Sequence, residues 1–228
     1  MHCRTALLLI SLCGTAVAQA PAGIPNPGVP LTVVLRGDLP IPARVVDAME
    51  REVESLLARS HIQMGWTWSA DPPHVFEQVA VVTLRGACRP NAAIPASIQF
   101  STGDPEALGK TQMVDGKVLP FADVRCDSVR KLIYRELYAK PSRQRDVLLG
   151  RALGRVMAHE LYHIILRSTD HGSNGLARPA QSSADLTAER DNFAPADQLR
   201  LSQSSAVSAA DEAESSGSVA GDRSESRQ

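Results

Sequence analysis

The chain has 228 residues, of which 43% are hydrophobic, enough to build one sizeable core. Its formal net charge is -1 with no block of basic residues, which argues against nucleic acid or an anionic membrane surface as a partner. Aromatic residues make up only 4% of the chain, too few for a platform on which nucleic-acid bases stack.

Residues 1–20 have the pattern of a signal peptide. Arg4 supplies a positive start, residues 6–12 are apolar, and small residues allow cleavage after Ala18 or Ala20. The apolar run is too short to span a bilayer, so no membrane insertion is expected after cleavage. An ordinary N-terminal helix is the alternative. The pattern predicts export to the periplasm or the extracellular space, where conditions are oxidising.

The cysteines fit this location. Cleavage would remove Cys3 and Cys13 and leave Cys88 and Cys126, an even number in an exported domain. We therefore predict a disulfide between the last two. They lack CxxC spacing and are distant in sequence from the histidine motif described below, so no second metal site is expected.

The exported chain divides into one domain and two loose ends. Residues 21–30 are rich in proline and glycine and predict an extended lead-in. Residues 31–201 are predicted to form the domain. Residues 202–228 are almost entirely serine, alanine, glycine and charged residues, which predicts a disordered tail.

Within the domain, strands and helices alternate. The patterns predict strands over residues 31–36, 62–68 and 79–84, of which the last is apolar throughout and thus central in its sheet. Weaker strands are predicted at 96–100 and 118–126, the second after a tight turn at Asp115-Gly116. Helices are predicted over 42–60, over 129–139 with Asp127 or Ser128 as the N-cap, over 145–167 and over 182–192.

The helix over residues 145–167 carries the most informative motif, the HExxH sequence from His159 to His163. Histidines at i and i+4 project from one face of a helix, so both imidazoles can bind one zinc ion. Glu160 lies about 100° around the helix from His159, close enough to take a proton from a metal-bound water. Structural histidines on a buried helix are the alternative.

The element order and the segment HELYHIILRSTDHGSNGLARPAQ resemble the zincin fold and, within it, the metzincin proteins, including secreted bacterial ones. The resemblance implies an α+β fold with a mixed twisted sheet packed on helices, among them the HExxH helix. It implies zinc bound by His159, His163 and His171, with Glu160 as the catalytic base.

Two positions depart from the metzincin pattern. The glycine and third ligand of that pattern would fall at Leu166 and Thr169, so His171 comes two residues late. The loop has to accommodate this extension, and Gly172 and Gly175 are its expected pivots. Ala177 stands where the methionine of the metzincin Met-turn is expected.

Other third ligands remain open. If His171 is not a ligand, it is a surface residue of the loop. Asp170 beside it could then supply an oxygen ligand. Glu189 lies at a distance suited to gluzincins, whose third ligand is a glutamate on a later helix.

These features together predict a zinc endopeptidase that acts on peptides or proteins through a zinc-bound water activated by Glu160. The substrate is expected to lie extended above the HExxH helix and to add to an edge strand. The alternative is a non-catalytic zincin-like domain that uses zinc for structure or partner binding. Neither the substrate sequence nor the oligomeric state follows from the chain.

Overall fold

The computed structural model describes residues 30–69, 78–93 and 107–204. In this part of the chain the strands are β1 (Leu31–Gly37), β2 (Met64–Trp68), β3 (Gln78–Arg85), β4 (Gly109–Val114) and β5 (Lys117–Arg125). They form one sheet in the order β2-β1-β3-β5-β4. β4 runs antiparallel to β5, whereas the other neighbouring strands are parallel.

The described helices are α1 (Ala43–Ala58), α2 (Cys126–Leu132), α3 (Tyr134–Tyr138), α4 (Ser142–Leu166) and α5 (Ser183–Thr187). Residues 195–204 are also helical and are called the 195–204 helix below. The predicted α+β class, with a mixed sheet packed on helices, is confirmed. The strand predicted at 96–100 lies outside the described residues.

One face of the sheet holds the core. Val33 and Leu35 of β1 and Val82 and Leu84 of β3 are fully buried, while the residues between them are only partly buried. β3 is the third of five strands, so its predicted central place is confirmed. Its burial nevertheless alternates, because the helices of the core cover one face of the strand much better than the other.

α4 is held in place by close packing on α1. A Cβ atom at Gly154 would lie 2.7 Å from the Met49 carbonyl oxygen, so only glycine lets the two helices approach so closely. Arg155, which is fully buried, donates to Glu52 of α1 at 2.7 Å. α4 also contacts β3, β4 and β5, so the helix that carries HExxH is fixed between α1 and the sheet.

The segment after β5 departs from the prediction. A helix was expected over 129–139, but the chain forms α2 and α3, with a break at Ile133. The predicted caps are wrong as well, because α2 begins at Cys126 and its N-cap is Arg125. Asp127 instead accepts the Ala87 backbone N–H at 3.4 Å and pairs with Arg130. The contact with Ala87 and the ion pair within α2 give the Asp127 side chain another role.

The β4–β5 hairpin was only half predicted. Asp115 and Gly116 form its turn, with φ angles of 50° and 75°, as their sequence indicated. β4 itself has no clear apolar alternation, since most of its side chains are exposed. This strand nevertheless forms one edge of the sheet and borders the site described below.

Residue 201, the predicted end of the domain, lies within the 195–204 helix. Leu201 is buried, and the 195–204 helix continues to Ser204, whose hydroxyl donates to the Ile165 carbonyl oxygen at 2.9 Å. The predicted signal peptide and nearly all of the predicted lead-in and tail lie outside the described residues. Among the described helices, none has the length and apolar character needed to cross a membrane.

Cys88 and Cys126 form the predicted disulfide. Both residues are buried, and the bond joins the segment after β3 to the first residue of α2. It closes a loop with a sequence separation of 38 residues. In the chain-entropy account, a loop of this size stabilises the fold by about 4 kcal/mol.

We expect no free thiol when the exported form, without residues 1–20, is unfolded without reductant and titrated. Replacing both Cys88 and Cys126 by alanine should lower the melting temperature, because the unfolded chain regains the freedom that the bond removes. Reductant should lower the melting temperature of the wild type but leave that of the double variant unchanged. About two free thiols per wild-type chain would contradict the prediction.

Candidate metal centre

Three histidines converge at one end of α4. His159 and His163 lie one helical turn apart, with their Nε2 atoms separated by 3.2 Å. His171 comes from the segment after the helix, and its ring centre lies 5.3 Å from that of His159 and 4.7 Å from that of His163. One ligand atom from each histidine lies within 4.8 Å of the other two. The fold thus brings together the three residues that the sequence singled out.

Backbone carbonyls orient two of these rings. His159 Nδ1 lies 2.8 Å from the Leu176 carbonyl oxygen, and His163 Nδ1 lies 2.9 Å from that of Ser168. Because a carbonyl oxygen only accepts, each Nδ1 must carry the hydrogen and donate it. In the neutral ring, Nε2 is then left with a lone pair directed at the centre of the cluster.

The charge state of the two rings follows from their burial. Burial lowers the pKa of His159 to about 4 and also lowers the pKa of His163. Both imidazoles are therefore neutral near pH 7, and their two Nε2 lone pairs face each other across 3.2 Å. This arrangement is repulsive unless a metal ion or a shared proton lies between the two nitrogens.

The separation fits zinc. In tetrahedral sites with Zn–N distances of about 2.0–2.1 Å, two ligand nitrogens lie about 3.3–3.4 Å apart. The observed 3.2 Å between His159 and His163 is close to this value. Three imidazoles are also a common donor set for zinc. The residues present therefore fit the metal that the sequence predicted.

The chain reaches His171 through a reversal at the end of α4. Arg167 adopts a left-handed conformation with φ of 49°, and the Ser168 backbone N–H donates to the His163 carbonyl oxygen at 3.2 Å. Gly175, with φ of 64°, is a pivot as expected. Gly172 is not a pivot of this kind, because its φ lies outside the left-handed region. It is needed for space, since a Cβ atom there would lie 2.4 Å from Asp197 Oδ2.

The turn that follows supports His159 through its backbone. Leu176 provides the carbonyl for the His159 ring, and the Ala177 carbonyl accepts the Gly172 N–H at 2.9 Å. Ala177 itself is fully buried. The contact between this turn and the histidine therefore does not depend on the side chain at position 177, where the metzincin pattern has methionine.

Glu160 lies against the edge strand. Its side chain is buried, and the Thr111 hydroxyl of β4 donates to Glu160 Oε2 at 2.7 Å. A Cβ atom at Gly109 would lie 2.5 Å from Glu160 Oε1, so glycine leaves room for the carboxylate. Burial raises the pKa of Glu160 to about 7. Sequence reasoning missed Thr111, because β4 gave no recognisable strand pattern.

A cavity of about 480 Å³ opens beside these residues. The three histidines and Glu160 form one wall, and β4, α2 and the residues 178–181 form others. Much of the remaining lining is apolar and comes from Leu108, Met113, Val118, Leu132, Val156 and Pro179. The cavity can hold an apolar side chain next to the histidines.

The other two ligand candidates are not part of this cluster. Within the described residues, the group that could hold a metal ion contains His159, His163 and His171 but neither Asp170 nor Glu189. Asp170 has a side chain that is 77% exposed and lies 3.9 Å from Arg200. Glu189 is exposed and follows α5, which is shorter than the predicted helix over 182–192. The structure therefore favours His171 over both carboxylates.

No protein-family profile matches the chain. No curated protein matches it either. Among solved structures, it is similar to archaemetzincin from Methanopyrus kandleri, with 14% sequence identity and a TM-score of 0.45. That match covers 79% of this chain and 97% of the archaeal chain. The function proposed below depends on the geometry of the histidines and not on this likeness.

Proposed function

We propose that the chain is an exported zinc metallopeptidase in which His159, His163 and His171 hold the metal. The observation that carries the proposal is the pair of Nε2 atoms 3.2 Å apart, each with its Nδ1 hydrogen directed at a backbone carbonyl. Such a pair places two lone pairs where one cation can accept both. Without a metal ion or a shared proton between the two nitrogens, this repulsion would remain.

Glu160 is the proposed general base. The chemistry that zinc supplies when bound is polarisation of the scissile carbonyl and a lowered pKa, about 7, for a coordinated water. Glu160 accepts the proton of the attacking water and passes it to the leaving amine. Thr111 holds the carboxylate in place through its hydrogen bond of 2.7 Å.

An extended peptide is the proposed substrate. Within the described residues β4 pairs with β5 alone, and the proposal places the substrate along its other edge. Gly109, Lys110 and Thr111 of this strand line the same cavity as the histidines. A peptide that pairs with β4 would pass the metal centre and place one side chain in the apolar part of the cavity.

The disulfide and the pattern of residues 1–20 support a periplasmic or extracellular location. An endopeptidase there would act on proteins outside the cytoplasm.

The test uses the purified chain without residues 1–20. We expect about one zinc per chain and cleavage of an unfolded protein or a diverse peptide library. Chelation should abolish cleavage, and added zinc should restore it. Absence of zinc binding would refute the metal centre. A folded, zinc-bound chain that cleaves none of these substrates would instead favour the non-catalytic zincin-like alternative.

A further inference from the structure

His171 differs from the other two histidines in how it is held. The rings of His159 and His163 donate to backbone carbonyls, but among the described residues the His171 ring makes no hydrogen bond. His171 is also exposed. The direction of its ring is therefore set by the position of its backbone, so whatever fixes the segment 168–172 also fixes the third ligand.

A buried carboxylate lies behind this segment. Asp197 of the 195–204 helix is only 4% exposed, and its Oδ2 atom would lie 2.4 Å from a Cβ atom at position 172. Gly172 directly follows His171 and is tied by its N–H to the Ala177 carbonyl oxygen at 2.9 Å. The chain can lie this close to the carboxylate only because residue 172 has no side chain.

The same carboxylate is bonded to the HExxH helix. Asp197 Oδ1 accepts the hydroxyl hydrogen of Tyr162 at 2.9 Å, and Tyr162 is fully buried next to His163. Tyr162 also stacks on Phe193, with ring centroids 5.5 Å apart, so this tyrosine packs within the fold. One oxygen of Asp197 thus contacts α4 and the other faces the loop of the third histidine.

Arg200 adds a second, weaker tie on the same helix. Its guanidinium donates to the Tyr162 hydroxyl oxygen at 2.8 Å and lies 3.9 Å from the carboxylate of Asp170. Because the Asp170 side chain is 77% exposed, this ion pair contributes little. Asp197 is the buried element of the arrangement.

We propose that Asp197 is a positioning residue for His171, holding the loop 168–172 at a fixed distance from α4. The inference rests on the proposed metal centre and assigns the support of the third ligand to the 195–204 helix. Substitutions in the surroundings of metal ligands typically weaken binding by about 10–100-fold. Because Asp197 acts through the backbone and does not contact the His171 ring, we expect a loss of zinc affinity near the lower end of this range.

The experiment measures zinc affinity by competition with chromogenic chelators. Asp197→Ala should raise the Kd for zinc by about 10-fold. In a His171→Ala background the same substitution should have no further effect, because the loop no longer carries a ligand. A residue that only stabilises the fold would not show this dependence on His171.

Glu52→Gln is the matched control. Glu52 also has a carboxylate that bonds to a buried residue of α4, which is Arg155 in this case. Glu52 lies on α1, away from the His171 loop. The substitution should lower the melting temperature and leave the zinc Kd unchanged. If Asp197→Ala does not fold, Tyr162→Phe removes the hydroxyl that bonds both Asp197 and Arg200 and should weaken zinc binding with the same dependence on His171.

An unchanged Kd in the folded Asp197 or Tyr162 variant would overturn the inference. So would an equal loss of affinity with and without His171. These results differ from a failure of the metal centre itself, in which the wild type binds no zinc or His171→Ala binds it as tightly as the wild type.

Discussion

Replacing Glu160 by glutamine should reduce peptide hydrolysis by at least about 100-fold, the scale at which a general base contributes. Glutamine keeps the shape of the side chain and can still accept the Thr111 hydroxyl, which lies 2.7 Å from the carboxylate. It cannot take the proton of the attacking water. We therefore expect zinc content and melting temperature close to those of the wild type.

Glu136→Gln provides the matched control for this substitution. Glu136 of α3 also accepts a side-chain hydroxyl, that of Ser183 at 2.7 Å, but it does not line the cavity. Its replacement should leave hydrolysis unchanged. A Glu160→Gln chain that keeps most of the wild-type rate would exclude Glu160 as the base, even if zinc were still required.

The second large effect concerns the third ligand. His171→Ala should weaken zinc binding by more than about 100-fold, beyond the range seen when only the surroundings of a ligand change. The loss should also appear in thermal unfolding. Zinc at 100 times its Kd stabilises a native protein by about 2.7 kcal/mol, and the variant should lose most of this gain at the same zinc concentration.

Asp170→Ala and Glu189→Ala are the comparisons. Both carboxylates are exposed and lie outside the histidine group, so each replacement should change the zinc Kd little. A larger loss of zinc affinity from Glu189→Ala than from His171→Ala would contradict the three-histidine site. It would favour Glu189 as the third ligand, as in the gluzincin pattern.

The sequence by itself determined the elements whose pattern is local. The apolar spacing of α1 and α4, the apolar run of β3 and the Asp115-Gly116 turn predicted those parts of the fold closely. It also determined that His159 and His163 meet, because a helix places residues four apart on one face. The disulfide followed from the cysteine count and the predicted export, since two cysteines remained to pair.

Only the tertiary structure decided how the rest of the site is assembled. Thr111 reaches Glu160 from a strand that has no apolar alternation, since most of its side chains are exposed. The cap predicted at Asp127 was displaced by a contact with Ala87, 40 residues earlier in the chain, and by an ion pair with Arg130 inside α2. The contacts of Thr111 with Glu160 and of Ala87 with Asp127 join residues far apart in the chain, and the local pattern does not encode them.

The position of His171 is the clearest case. The sequence supplied a third histidine two residues later than the metzincin spacing, with exposed carboxylates as alternatives. The left-handed turn at Arg167 and the close contact of Gly172 with Asp197 bring it to the cluster. A loop has no repeating pattern to fix its path, so distant packing partners determine where its histidine lies.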